Sequence, residues 1–225
     1  MIENYKLLIG DYIEIKKMYD KINFRGGTAM KLYVIRHGES ENNVNNCWTG
    51  WQNVNLTKKG ISEAEKVGET IARVKFDKIY TSDLIRCVQT AQVALPRQKY
   101  HRRDNLREIN IGSLSGLKFE DGAKLFGKAL QENIKNLDYT DYSGENIKQI
   151  DKRVMSFLKE VTEDFKENMC ENLAVFTHVG IIRRLCELLT DLSLPPEKAI
   201  CQNCAIIIFD YNNDVWKLHS WINLV

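Results

Sequence analysis

The sequence predicts an α/β fold: a mostly parallel sheet covered by helices on both faces, with an antiparallel edge strand. Three observations carry this reading. Short β-rich apolar runs alternate with amphipathic stretches of helix length from residue 31 onward. Two of those runs stop at a histidine, as buried strands do on reaching a polar loop. No repeat, low-complexity tract or linker divides the 225 residues, so residues 30–225 read as one domain with a full core.

The first strand is 31–35, Lys-Leu-Tyr-Val-Ile, ending at Arg36-His37-Gly38. A loop rich in Asn, Gly and Trp follows over 38–55. Thr57 then caps a helix in which Ile61, Ala64, Val67 and Ile71 keep helical spacing. Phe76 to Thr81 is the second strand. The next helix sets Leu84, Val88, Ala91 and Leu95 on one face until Pro96 ends it. Residues 101–146 carry five glycines and are the least regular part; a short helix near 119–136 is expected there, the rest being an insertion over the site. Ile147 to Phe165 is a clear amphipathic helix. Leu173 to Thr177 is the third strand, ending at His178, and a helix with Ile182, Leu185 and Leu189 stops before Pro195-Pro196. Cys204 to Phe209 and Val215 to Trp221 close the chain around the turn Asn212-Asn213-Asp214.

Composition excludes several classes of function. With 44% hydrophobic and 28% charged residues, the chain is that of an ordinary globular protein. A net charge of +2 with no basic block argues against nucleic acid. No apolar run approaches the ~20 residues that span a bilayer, and the first residues alternate apolar and charged groups too quickly for a signal peptide. A cytoplasmic location is therefore expected, with no membrane partner. The six cysteines then read as reduced thiols. Cys201-Gln-Asn-Cys204 is a lone CxxC with no second pair and no histidine nearby, which favours buried or strand-edge thiols over a metal or redox site.

Chemistry collects at one sheet edge. Ligands of open α/β sheets bind beyond the carboxyl ends of the strands. There the first strand delivers Arg36 and His37, the third delivers His178, and the second leads to Ser82-Asp83 with Arg86 one turn on. Two arginines and two histidines suit a phosphate dianion, because guanidinium forks bind phosphate oxygens in pairs. The same cations disfavour protonated imidazole, so His37 is expected to be neutral and able to attack phosphorus in line. A leaving alkoxide then needs a carboxylic acid. Nothing in the residue pattern selects that acid from 30 Asp and Glu.

A resemblance does select it. Leu32-Tyr33-Val34-Ile35-Arg36-His37-Gly38-Glu39-Ser40, with Asn43 following, resembles the opening motif of the phosphoglycerate-mutase-like histidine phosphatase superfamily. The likeness continues through Leu56-Thr57-x-x-Gly60, Tyr80-Thr81-Ser82-x-x-x-Arg86-x-x-Gln89-Thr90-Ala91, Leu106-Arg107-Glu108-x-x-x-Gly112 and Thr177-His178-x-Gly180-x-Ile182-Arg183. A single Arg-His-Gly would as readily be a surface arginine beside a capping histidine; five blocks in order are far more specific. The resemblance implies a three-layer α/β/α sandwich and no metal or other cofactor. It also implies His37 as the phosphorylated residue, Glu108 as the proton donor, and Arg36, Arg86 and His178 as phosphate ligands with Asn43 assisting. The loop carrying Thr49 and Gly50 is expected to meet the substrate. Trp48 and Trp51 either line the site or pack that loop, and His101 and His219 match no block.

The family divides into phosphatases and phosphoglycerate mutases. Cys47-Trp48-Thr49-Gly50-Trp51 is similar to the mutase loop. Mutases, however, usually follow the proton-donor glutamate with Arg-His-Tyr-Gly, where this chain has Ile109-Asn110-Ile111-Gly112, and carry His-Gly-Asn where it has His178-Val179-Gly180. Ser143-Gly144-Glu145 and the short insertion resemble the phosphatase branch that includes broad-specificity and α-ribazole phosphatases. The expectation is a phosphatase acting on a small phosphorylated metabolite, with a mutase as the alternative and a catalytically silent phosphate-binding module behind both. A homo-oligomer is left open.

Residues 1–29 have no counterpart in the resemblance. Arg25-Gly26-Gly27-Thr28-Ala29-Met30 would fit a translated ribosome-binding site ahead of a start at Met30. Against that, Tyr5, Leu8, Tyr12, Ile15, Tyr19 and Ile22 keep the 3,4 spacing of an added helix. The first reading is slightly preferred.

Overall fold

The computed structural model describes residues 29–191 and 199–224. Both readings of residues 1–29 therefore fall essentially outside the described residues, as does the expectation for Pro195-Pro196. Among the described residues the chain folds as β1 (Met30–Arg36), α1 (Glu41–Val44), α2 (Lys58–Ile71), β2 (Lys78–Ser82), α3 (Ile85–Ala94) and β3 (His101–Arg103), then α4 (Phe119–Asn136), α5 (Ile147–Asn168), β4 (Asn172–Thr177), α6 (Val179–Thr190), β5 (Ile206–Asn212) and β6 (Val215–Ile222).

The six strands form one sheet in the order β3-β2-β4-β1-β5-β6. The first four run parallel; β5 and β6 are antiparallel to their neighbours. Side-chain alternation splits the core into two layers. Leu32, Val34, Tyr80, Leu173, Val175 and Phe209 face Ile150, Val154, Phe157 and Val161 of α5 and Ile182 and Leu185 of α6. Ile35, Ile79, Ala174, Phe176 and Ile206 face Ala64, Val67 and Ile71 of α2 and Cys87 and Ala91 of α3. The result is the expected three-layer sandwich. No described helix is long and apolar enough to cross a membrane.

Local chemistry explains the boundaries. Thr57 caps α2 by accepting the Gly60 N–H at 3.0 Å, and Asn146 caps α5 in a reciprocal box with Gln149. The closing hairpin turns on Asn213 and Asp214, both with positive φ (50° and 58°), as a tight two-residue turn between right-twisted strands requires.

Three details differ from expectation. Ile61 is 42% exposed, because the buried face of α2 runs through Gly60, Glu63, Ala64, Val67 and Ile71, one position to its side. The expected antiparallel edge strand is a pair, with β5 inserted beside central β1. At the far edge β3 was not foreseen, since His101-Arg102-Arg103 has neither length nor apolar alternation. His101 there lies against the Tyr80 ring, and His219 pairs at the surface with Asp210.

Candidate active site

β1 and β4 are adjacent and parallel, with Arg36 opposite Thr177. The residues following each strand are therefore neighbours: the His37 N–H donates to the Thr177 carbonyl at 3.0 Å. The rings of His37 and His178 lie 5.2 Å apart, tilted by 60°. Both histidines are buried. The Nδ1 of His37 is 2.8 Å from the Gly38 carbonyl oxygen, which can only accept. The ring proton thus sits on Nδ1 and leaves the Nε2 lone pair free. Burial is the main cause holding His37 well below the usual histidine range, with Arg86 and Arg36 adding to it. The direction is the one the arginines predict, but removal from water outweighs them as its cause. His178 is likewise held low by burial first and Arg86 second, and its Nε2 lies 3.0 Å from Ser82 Oγ.

The two arginines are clamped at their tips. Arg36 Nη1 donates to the Cys201 carbonyl at 2.5 Å. Arg86 donates from Nη1 to Gln52 and from Nη2 to Gly50, at 2.8 and 2.9 Å. In each the Nε is buried with no hydrogen-bond partner among the described residues. Gly50, at φ +49°, offers its carbonyl to Arg86 because the left-handed turn points it inward. Of that pair, Gly50 is bonded to Arg86 through its carbonyl, and the Thr49 hydroxyl makes no hydrogen bond among the described residues. Asn43 sits in the first turn beyond β1, where its Oδ1 accepts from Ser40 N–H and Oγ–H.

Glu108 arrives on the loop after β3. Its Oε1 accepts the Ile109 N–H at 2.9 Å and its Oε2 the Gly180 N–H at 3.3 Å, in the first turn of α6. A Cβ on residue 180 would stand 2.3 Å from Glu108 Oε1, which explains a glycine two residues after His178. The other motif blocks interlock in the same way. A Cβ at Gly38 would meet the Gly60 carbonyl at 2.4 Å. The Gly38 N–H donates to Thr90 Oγ1, the Leu56 N–H to Gln89 Oε1, and the Thr177 hydroxyl to the Leu106 carbonyl.

The structure separates the two tryptophans. Trp51 is at the site, its Nε1–H donating to the Glu108 carbonyl at 2.6 Å while Arg107 stacks on its ring. Trp48 packs edge-on to Phe119 at the base of α4. One support was missed in the sequence. Arg153 of α5 donates to the carbonyls of Asn105, Arg107 and Glu108 and forks onto Glu145, whose Oε2 also accepts the Asn110 N–H. This pair fixes the backbone that carries Glu108.

The pocket thus gathers two cations, Arg86 buried and Arg36 half-buried, with two neutral imidazoles and a carboxyl group. That set can bind an anion, present a nucleophilic nitrogen and exchange a proton. Comparison with known proteins gives the same family from both sides of its division. The chain is 27% identical over 192 residues to a broad-specificity phosphatase of Saccharomyces cerevisiae, covering 82% of this chain and 81% of that one. It is 32% identical over 195 residues to a 2,3-bisphosphoglycerate-dependent phosphoglycerate mutase of Bartonella bacilliformis, covering 81% and 93%. Among solved structures, a phosphoglycerate mutase from Bacillus anthracis superposes with a TM-score of 0.76 at 23% identity, covering 86% of this chain and 93% of that one. Residues 32–224 match the histidine phosphatase superfamily (branch 1), and the chain belongs to that family.

Proposed function

We propose that this protein is a phosphatase hydrolysing small phosphate monoesters through a phosphohistidine at His37. Nε2 of His37 attacks phosphorus while the bond to the ester oxygen breaks, and Glu108 gives that oxygen its proton. Arg36 and Arg86 hold the equatorial oxygens, and the free amide N–H groups of Asn43 add donors. On this reading Ser82 donates to Nε2 of His178, which then carries its proton on Nδ1 and serves as a neutral donor. Water then attacks phosphorus as its bond to Nε2 of His37 breaks, Glu108 takes the water's proton, and inorganic phosphate leaves.

The observation favouring hydrolysis over isomerisation is the wall beside Glu108. Ile109 and Ile111 are 7% and 5% exposed and pack under Gly180 and Gly50, where a mutase needs cationic and hydroxyl contacts to the far end of its substrate. The neighbouring cation, Arg107, is taken up by Asp83 and Trp51. A mutase must hold the bisphosphorylated intermediate while it reorients; this wall offers no grip for that. The competing reading rests on the Trp48-to-Trp51 loop and on the 32% identity to a mutase.

The deciding assay supplies 3-phosphoglycerate with catalytic 2,3-bisphosphoglycerate, couples 2-phosphoglycerate formation to enolase, and measures phosphate release in parallel over a panel of phosphometabolites. Release from one or more esters should exceed isomerisation. Isomerisation much faster than any release would overturn the phosphatase. Alkaline quenching after brief turnover should yield phosphate on His37, acid-labile and base-stable, and His37→Ala should abolish it.

A further inference from the structure

The turn holding the lone CxxC lies against the nucleophile. Besides accepting Arg36 at the Cys201 carbonyl, this segment donates the Cys204 N–H to the His37 carbonyl at 3.2 Å, and its Ala205 carbonyl accepts the Arg36 N–H at 3.0 Å. Cys204 takes φ +58° to make the bend. Between the two cysteines, Asn203 Nδ2 reaches the His37 carbonyl at 3.1 Å and Asn43 Oδ1 at 3.3 Å. The amide orientations follow from chemistry. The backbone N–H of Ser40 can only donate, so the Asn43 atom facing it is oxygen. The carbonyl of His37 can only accept, so the Asn203 atom facing it is nitrogen. Three donors therefore converge on Asn43 Oδ1, and its NH2 group, with no partner among the described residues, is left on the other side of the amide.

We propose that Asn203 is a positioning residue of the phosphate pocket: it locks the Asn43 amide with its N–H groups toward the phosphate and holds the backbone of the nucleophile. The proposal rests on the phosphate reading of the His37 pocket. One amide does both tasks because Nδ2 carries two hydrogens, one for each acceptor. Alanine at 203 removes both bonds; Asn43 then turns freely and offers either its oxygen or its nitrogen to an anion.

The test measures orthovanadate affinity of the full chain by tryptophan fluorescence, with melting temperature and p-nitrophenyl phosphate turnover alongside. Asn203→Ala should weaken vanadate about tenfold, the scale of a hydrogen bond to a charged group. Asn203→Leu, nearly isosteric and lacking the donor, should show the same loss if the alanine variant melts early. The decisive comparison is with Asn43→Ala. If Asn203 acts through Asn43, the double variant binds vanadate little worse than Asn43→Ala alone. Unchanged binding by Asn203→Ala and Asn203→Leu would overturn the positioning role, and losses that multiply in the double variant would overturn its action through Asn43. A parent protein that binds no vanadate would instead remove the phosphate reading, and this proposal with it.

Discussion

Gly180→Ala separates the placing of Glu108 from the stability of the fold. The added Cβ would stand 2.3 Å from Glu108 Oε1 and 2.9 Å from Ile109 Cδ1. Ordinary contact begins near 3.4 Å, so the carboxyl must recoil by about 1.1 Å and lengthen its 3.3 Å bond from the Gly180 N–H. Two of the obstructing atoms are side-chain ends, which move cheaply, and the third, Ile109 Cγ1 at 3.1 Å, need give only a few tenths of an ångström; residue 180 is also helical, where alanine is better than glycine by up to about 1 kcal/mol. The melting temperature should therefore stay near that of the parent. A misplacement of that size costs roughly 100-fold in rate when the displaced group takes part in the chemistry. For an alkyl phosphate, whose leaving group needs the proton, kcat/KM should fall by about that factor. For p-nitrophenyl phosphate, whose leaving group departs unassisted, the fall should be a few-fold at most. Equal losses on both esters, or none on either, would refute Glu108 as the acid. Glu108→Gln should show the same leaving-group bias.

Two other expectations follow from burial. His37 and His178 are neutral in the folded protein and titrate near 6.5 when unfolded, so protons bind the unfolded chain preferentially as pH falls below that value. Their contribution is level above about pH 6.5 and drops below it by up to about 1.4 kcal/mol per pH unit for each histidine; urea midpoints between pH 7 and 5 should show it, with a shallower slope in His178→Asn. Arg153→Met leaves the Glu145 carboxylate enclosed without its cation and should cost about 3–5 kcal/mol, while Arg153→Met with Glu145→Gln should cost less than the single change; equal or additive losses in urea melts would count against the ion pair as the cause.

What the sequence displays depends on how each residue works. Long periodic elements were legible because their burial pattern is their cause: α5 and β4 appear within a few residues of where the apolar spacing puts them. The pocket was legible where a strand ends in an unusual side chain, as at His37 and His178. Arg153 and Asn203 left no such mark, because they act on backbone carbonyls, and carbonyls have no residue type to match. Glu108 stands between: its position became visible only through resemblance, and its grip through the missing side chain of Gly180.

The strand order also bears on how the protein is born. β1 is the first strand described, yet it lies between β4 and β5, which follow it by more than a hundred residues. Every wall of the His37 pocket comes from a different stretch: the opening loop, α3, the Glu108 loop, the start of α6, and the 201–205 turn. A chain emerging from the ribosome can therefore fold its local helices early, but it holds no working pocket until the segment through β5 has emerged and closed against β1. Long-range closure of this kind is slow, and recovery of activity on refolding should be among the last signals to return. The nascent chain thus has no assembled His37 pocket until β5 has closed against β1.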